Sequence, residues 1–188
     1  MIFAGVEFDR CWLLTWTTYG TWLPGNRRGF VSPVAVENGF ELHNQPGTPI
    51  DADMPALREH ARTLLRGKPV YLGAEQATRV VEQFCETATF RQWPLLAAAV
   101  MANHAHLVVG VLGDPDPNKL LHDFKSYATR ALNKRWPRPT SETWWTKDGS
   151  KRKLPDFPAV RNAVSYLRRQ YRPLASWFVE DEDESTRP

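Results

Sequence analysis

Two histidines separated by one residue, His104-Ala105-His106, are the most chemically loaded pairing in the chain. Apolar runs from Leu95 to Met101 and from Leu107 to Leu112 flank them with the length and Val/Leu content of β-strands, and Ala102-Asn103 supplies a turn between. The pair therefore opens a strand. Residues i and i+2 of a strand point to the same face, about 7 Å apart at Cα, so two imidazoles placed this way can share one divalent cation. A lone histidine at such a place is more often a satisfied polar residue at a strand edge. The basic, tyrosine-bearing segment that follows raises this pair above that reading.

That segment reads as a helix from about Asn118 to Trp136, preceded by Gly113-Asp114-Pro115-Asp116-Pro117 and stopped by Pro137 and Pro139. Leu120, Leu121, Phe124, Ala128, Ala131 and Leu132 form its core stripe, while Lys119, Lys125, Arg130, Lys134 and Arg135 make it basic. Tyr127 lies between Ser126 and Ala128, small neighbours that leave the phenol accessible. Packed across the sheet, such a helix could bring its middle turn, and Tyr127, to the histidines. A phenol with an ordinary pKa near 10 is a weak nucleophile at neutral pH. A cation on the target phosphate withdraws charge from phosphorus and stabilises the leaving oxygen. Two neutral imidazoles, an oxygen ligand and waters can hold Mg²⁺ or Mn²⁺, and Mn²⁺ tolerates nitrogen better. The chemistry this predicts is phosphodiester transesterification, with the bond energy kept as a phosphotyrosine.

The elements that must position these groups follow from the rest of the chain. Its 188 residues, 42% hydrophobic and 24% charged, suit one core and are too few for two comfortable domains. We read 1–179 as a single domain with a long insertion at 22–73, and 180–188 as an acidic, disordered tail. No apolar run approaches the roughly 20 residues needed to cross a bilayer, and the N-terminus lacks a signal-peptide pattern, so a cytoplasmic protein is expected. Cys11 and Cys85 lack metal-binding spacing and read as buried thiols. The net charge of +3 understates the basic body, because Glu180 to Glu184 holds five consecutive acids. Lysines and arginines gather in 119–138, 147–153 and 161–172, a distribution that suits a polyanion.

In chain order, Cys11 to Tyr19 reads as a central strand. The Pro- and Gly-punctuated insertion contains one helix near Pro55 to Leu65, with Asp53 as a candidate cap, and Arg27 and Arg28 as candidate DNA contacts. Ala74 opens an amphipathic helix with Val80, Val81, Phe84, Cys85 and Ala88 on one stripe. After the His-bearing strands and the Tyr127 helix, Glu142 to Thr146 and Ser150 to Leu154 read as a hairpin turning at Lys147-Asp148-Gly149. A last helix from about Phe157 to Gln170 carries Val160, Val164, Leu167 and Tyr171 on one face. The fold class predicted is α+β: a ferredoxin-like sandwich, its central antiparallel sheet covered by helices on one face, with the long N-terminal insertion and a C-terminal hairpin and helix.

At these residues the sequence resembles a known family. His104-Ala105-His106 between two strands, followed by Tyr127 within Phe124-Lys125-Ser126-Tyr127-Ala128-Thr129-Arg130, is similar to the single-tyrosine HUH transposases of the IS200-like type, and most of all to the REP-associated tyrosine transposases. Tyr19-Gly20-Thr21-Trp22-Leu23-Pro24-Gly25 and Trp144 to Ser150 resemble stretches of one REP-associated subgroup, and Tyr166 with Pro173 matches its C-terminal helix. The resemblance implies a ferredoxin-like fold, a metal held by His104 and His106, Tyr127 as nucleophile and a 5′-phosphotyrosine intermediate. It also implies a partner: single-stranded DNA carrying REP-like hairpins, gripped here by Lys125, Arg130 and Lys134. Members are monomers or homodimers. One departure stands out. The family usually offers a polar metal ligand one turn after the nucleophile, and that position after Tyr127 is Ala131; Asp123, one turn before, is a candidate substitute.

Two other functions fit the same residues. A catalytically weak or inactive hairpin-binding protein of the same descent is suggested by Ala131. An unrelated metal-dependent hydrolase would activate water at the histidines and leave Tyr127 a structural role.

Overall fold

The computed structural model describes residues 1–26 and 54–180, together with the backbone of 33–36 and 39–42. The candidate cap Asp53, the candidate DNA contacts Arg27 and Arg28 and nearly all of the acidic tail lie outside the described residues. The elements run β1 (Ile2–Phe3), β2 (Val6–Glu7), β3 (Arg10–Thr17), β4 (Pro33–Val36), β5 (Gly39–Leu42), α1 (Pro55–Thr63), α2 (Ala74–Arg91), β6 (Leu95–Val100), β7 (His104–Val111), α3 (Pro117–Asn133), β8 (Ser150–Leu154), α4 (Phe157–Arg168) and β9 (Ala175–Phe178). Strands β8-β3-β7-β6-β9 form one antiparallel sheet in that order, so the expected α+β class and its central antiparallel sheet are present.

Alternation along β7 decides what lies on each side. Ala105, Leu107, Val109 and Val111 join one buried cluster with Leu14 and Trp16 of β3, Val80, Val81 and Phe84 of α2, and Leu120, Phe124 and Ala128 of α3. Val108 joins the other cluster with Cys11, Leu96, Ala97 and Ala99 of the sheet and Val160, Ala163, Val164 and Leu167 of α4. Helices α2 and α3 therefore cover one face and α4 the other. Both faces of β7 are buried, which is why it reads as a nearly unbroken apolar run. Edge-on packing of Trp16 and Phe124 on Phe84, at 5.5 and 5.8 Å between ring centroids, locks the α2–α3 layer to the sheet. Truncating Phe84 to alanine would cost about 3–5 kcal/mol.

Several expectations are met with shifted ends. Helix α3 is capped by Asp116, whose carboxylate accepts from the Asn118 amide at 2.9 Å, and stops three residues before Trp136. Both cysteines are free thiols, Cys11 buried as expected and Cys85 only half-buried. Others need correction. Glu142 to Thr146 forms no strand; only Trp145 makes an isolated bridge, to Thr18. Instead β8 pairs with β3 as an edge strand of the main sheet, because Leu154 fills a buried place opposite Cys11. Tyr171, expected on the buried face of α4, is 80% exposed, since the helix ends at Arg168 and the chain turns there through Arg172 at φ 52°. The short edge strand β9, whose Ala175 and Trp177 face α2 while Phe178 packs beside α4, has no counterpart in the sequence reading.

The long insertion returns to the sheet beside the histidine turn. The Tyr19 hydroxyl accepts from the Arg66 amide at 2.8 Å, Val70 N donates to Tyr19 O at 2.9 Å, and Leu72 N donates to Ala102 O at 2.8 Å. Helix α1 buries no residue, so it rides on this scaffold and contributes little to the core.

Candidate active site

The turn before β7 is fixed first. The Asn103 carbonyl accepts from Thr18 N at 2.9 Å and from the hydroxyls of Thr18 and Thr21 at 3.2 Å each, and Met101 N closes the turn on His104 O at 2.9 Å. The Tyr19 to Gly25 stretch thus acquires a physical role. It follows Thr18 and carries Thr21, and these two threonines hold the backbone that presents His104.

Both imidazoles then emerge on the α4 face. Their ring centroids are 4.9 Å apart with planes at 84°. The His104 Nδ1 lies 2.7 Å from Asn103 Oδ1, and the His106 Nδ1 lies 2.7 Å from Thr15 Oγ1, its register partner on β3. An amide oxygen only accepts, so His104 carries its proton on Nδ1 and its lone pair on Nε2. A hydroxyl can accept in the same way at His106. Burial, and next the charge of His104, push the His106 pKa down to about 4, so this ring is neutral at pH 7 and its lone pair available.

These features fit a divalent cation. Two imidazoles 4.9 Å apart at their centroids, each with a ring nitrogen able to accept, suit one shared divalent ion. A hydrogen bond at Nδ1 behind each ring holds the ring orientation that an imidazole ligand needs, and at His104 it also fixes the tautomer. Among the described residues no third His, Cys, Asp or Glu joins the pair, so further ligands must be of another type or come from water and substrate.

The tyrosine facing the pair is Tyr166, not Tyr127. On α4, the Tyr166 ring packs edge-on against His106 at 5.5 Å between centroids, and the residue is 47% exposed. It stands off the buried stripe of Val160, Ala163, Val164 and Leu167, with a phenol open to solvent beside two imidazoles. Tyr127 sits on the other side of the sheet. Its ring lies 6.4 Å from Phe90 of α2, between the guanidinium groups of Arg91 and Arg130 at 5.9 and 5.0 Å. The reason is the strand alternation: α3 packs over Ala105, Leu107 and Val109, whereas the histidines point the opposite way.

The remaining expected site residues follow Tyr127 to that far face. Asp123 is buried and ion-paired to Arg91 at 2.9 Å and Lys119 at 3.3 Å, so it offers nothing to the histidines. Ala131 is buried in the α3 stripe. The Lys125 ammonium donates to the carbonyls of Thr146, Lys147 and Asp148, at 2.8 Å for Lys147, and burial pulls its pKa down to about 8; it anchors a loop. Lys134 lies toward Glu86, whose carboxyl is held low chiefly by its hydrogen bond to Arg79. Of the three expected DNA contacts, Lys125 and Arg130 line an open groove, Lys125 with its ammonium turned to the loop carbonyls.

With this geometry in place, comparison with known proteins is informative. A family model described as "Transposase IS200 like" matches residues 61–149. The resemblance drawn on the histidine pair thus recurs in this match: residues 61–149 are similar to the IS200-like transposases. The match includes both histidines and Tyr127 and stops before α4. No curated protein matches the chain. One solved structure that it resembles is described as "Structure of the REP associates tyrosine transposase bound to a REP hairpin", with 14% identity and a TM-score of 0.45 over 86% of this chain and 67% of that one.

Tyr166 is visible in the sequence only as part of a matching helix. Its signal is a tyrosine off the apolar stripe with a polar residue, Gln170, one turn further on. Thr15 leaves no signal, since only strand register pairs it with His106.

Proposed function

We propose that this chain is a metal-dependent transposase that cleaves and rejoins single-stranded DNA, with Tyr166 as nucleophile and His104 and His106 holding Mg²⁺ or Mn²⁺. The observation that carries the reading is the Tyr166 ring set against His106 on the one sheet face that both imidazoles share. Tyr166 Oη attacks phosphorus, the new O–P bond forms as the bond to the 3′-oxygen breaks, the phenolic proton passes to solvent, and the departing 3′-oxygen takes one up. The product is a 5′-phosphotyrosine. A second 3′-hydroxyl then attacks the same phosphorus and releases the tyrosine, so the strand is rejoined without an external energy source. His104 and His106 would hold the cation, and it would supply charge that draws electron density from phosphorus. Asn103 holds the His104 ring in the tautomer this requires, and the Thr15 hydroxyl can accept from His106 in the same way.

Reassigning the nucleophile also removes the departure from the family pattern. Four residues after Tyr166, just past the end of α4, the chain carries Gln170, whose amide oxygen is of a type that could serve as a third ligand, where counting from Tyr127 gave Ala131. The case for a hairpin-binding protein without cleavage rested on Ala131 and loses its motive. The substrate class, single strands bearing REP-like hairpins, is carried over from the family resemblance.

The test is incubation of the full chain with a single-stranded hairpin oligonucleotide and Mn²⁺, followed by a denaturing gel. The expected result is a covalent protein–DNA band from the parent and from Tyr127→Phe, and none from Tyr166→Phe. Strand cleavage with no covalent band, surviving Tyr166→Phe, would favour a hydrolase instead.

A further inference from the structure

A sizeable groove lies away from the histidines. With a volume of about 740 Å³, it lies between α3 and the segment 143–151, and Arg130, Arg138, Lys147 and Lys151 line it with Asp148 as the sole acid. Among the described residues none of these four cations has a carboxylate partner, in contrast to Arg79, Arg91 and Lys119, which are ion-paired. Ser126 and Thr129 also line it, their hydroxyls in contact with His122 and Trp145. At its α3 lip the Arg130 guanidinium covers Tyr127, and Tyr127 abuts Phe90, which is 71% exposed. Exposed aromatic rings beside unpaired cations are what an unpaired nucleic-acid strand requires: phosphates meet charge and bases meet a ring face.

The groove also reaches the sheet edge next to the histidine-bearing strand. Thr17 is the register partner of His104, its hydroxyl lies 3.3 Å from the Thr146 hydroxyl, and Thr146 lines the groove. A strand bound at His104 therefore needs only to pass the sheet edge at Thr17 and Thr146 to enter.

We propose that this groove is a second binding site for single-stranded DNA, taking the segment that flanks the cleaved phosphate, with Phe90 as the stacking residue at its far end. This rests on the function proposed above for its substrate. Neither Phe90 nor the groove cations touch the reacting atoms, so the site sets affinity and the length of strand engaged.

The experiment is an anisotropy titration of the full chain with labelled single strands, from a short piece covering the cleavage site to one extended on either side, at several salt concentrations. The extension that binds more tightly to the parent should lose about tenfold on Phe90→Ala and recover with Phe90→Trp. Arg130→Ala and Lys151→Ala should each lower the slope of log affinity against log salt by about 0.7, the value for one phosphate of a single strand. Covalent adduct at saturating DNA should stay at the parent level in Phe90→Ala. Extended and short strands bound equally by the parent, or a Phe90→Ala protein indistinguishable from it, overturn the proposal, as does an affinity loss in the groove variants that shows with duplex alone. Adduct formation by the parent alongside such a result leaves the catalytic reading standing and removes only the groove. Length-dependent binding with no adduct at all does the reverse.

Discussion

Replacing Thr15 by valine changes one hydroxyl for a methyl of similar size behind His106, and its consequences can be worked through. The hydroxyl lies 2.7 Å from His106 Nδ1 in a position where the histidine is only 6% exposed, so no bulk water replaces it. Losing such a hydrogen bond and leaving a buried ring nitrogen unsatisfied costs about 1–3 kcal/mol. The larger effect is on tautomer. With nothing to hold a proton on Nδ1, His106 divides between two neutral forms, and in one of them Nε2 carries a proton and cannot ligate a cation. Loss of the hydrogen-bond partner behind an imidazole ligand typically lowers metal affinity about 10–100-fold. Calorimetric titration of the DNA-free protein with Mn²⁺ reads this directly, and Thr15→Ser should restore most of the affinity because its hydroxyl can reach the same nitrogen. A Thr15→Val protein whose Mn²⁺ affinity matches the parent's would refute the role given to Thr15 and weaken the assignment of His106 as ligand.

Three further outcomes follow from the same geometry. In metal-free protein the His106 pKa lies below its unfolded value, so its contribution to stability is complete above pH 6.5 and is lost as pH falls through about 4. Urea unfolding in chelator between pH 7 and 4 should therefore show a loss of about 3 kcal/mol in the parent that His106→Gln lacks; equal losses in both would contradict it. Asp123→Ala strips Arg91 and Lys119 of their shared carboxylate and should destabilise the fold by about 3 kcal/mol or more while leaving Mn²⁺ affinity unchanged, since the site lies across the sheet; a matching loss of metal binding would place Asp123 at the site after all. Gly149→Ala would set a Cβ 2.7 Å from the Thr15 carbonyl and 2.9 Å from Trp16 Cβ, so a drop in melting temperature is expected, together with weakened Mn²⁺ binding through displaced Thr15. A neutral result on both would mean that the β3–β8 edge adjusts without strain.

Much of the fold is legible in the sequence because its signals are local. The apolar runs around His104, the stripes of α2 and α3 and the proline stops all mark elements where they form. The histidine pair is legible for the same reason, since period-two alternation is fixed within one strand. What the sequence leaves open is which helix covers which face. Because β7 is apolar on both sides after His106, its pattern does not say whether α3 or α4 lies over the imidazoles, and Tyr127 and Tyr166 are each placed on a helix with an apolar stripe. Reading Glu142 to Thr146 as half of a hairpin compounds the ambiguity, because it draws β8 and α4 away from the sheet as a separate appendage. Once β8 is seen pairing with β3, α4 has only the histidine face left to cover, and Tyr166 arrives there with it. Thr15 and the groove between α3 and 143–151 depend on register and on long-range packing, and neither leaves a mark in linear sequence.

The most direct test of the account is to find which side chain carries the nucleotide. After reaction with a hairpin single strand and Mn²⁺, nuclease trimming and trypsin, the two candidates fall in different peptides, Ser126 to Arg130 for Tyr127 and Asn162 to Arg168 for Tyr166. Mass spectrometry should show the added nucleotide on Asn162-Ala163-Val164-Ser165-Tyr166-Leu167-Arg168. The mass added to Ser126-Tyr127-Ala128-Thr129-Arg130, with Tyr166 unmodified, would contradict the account.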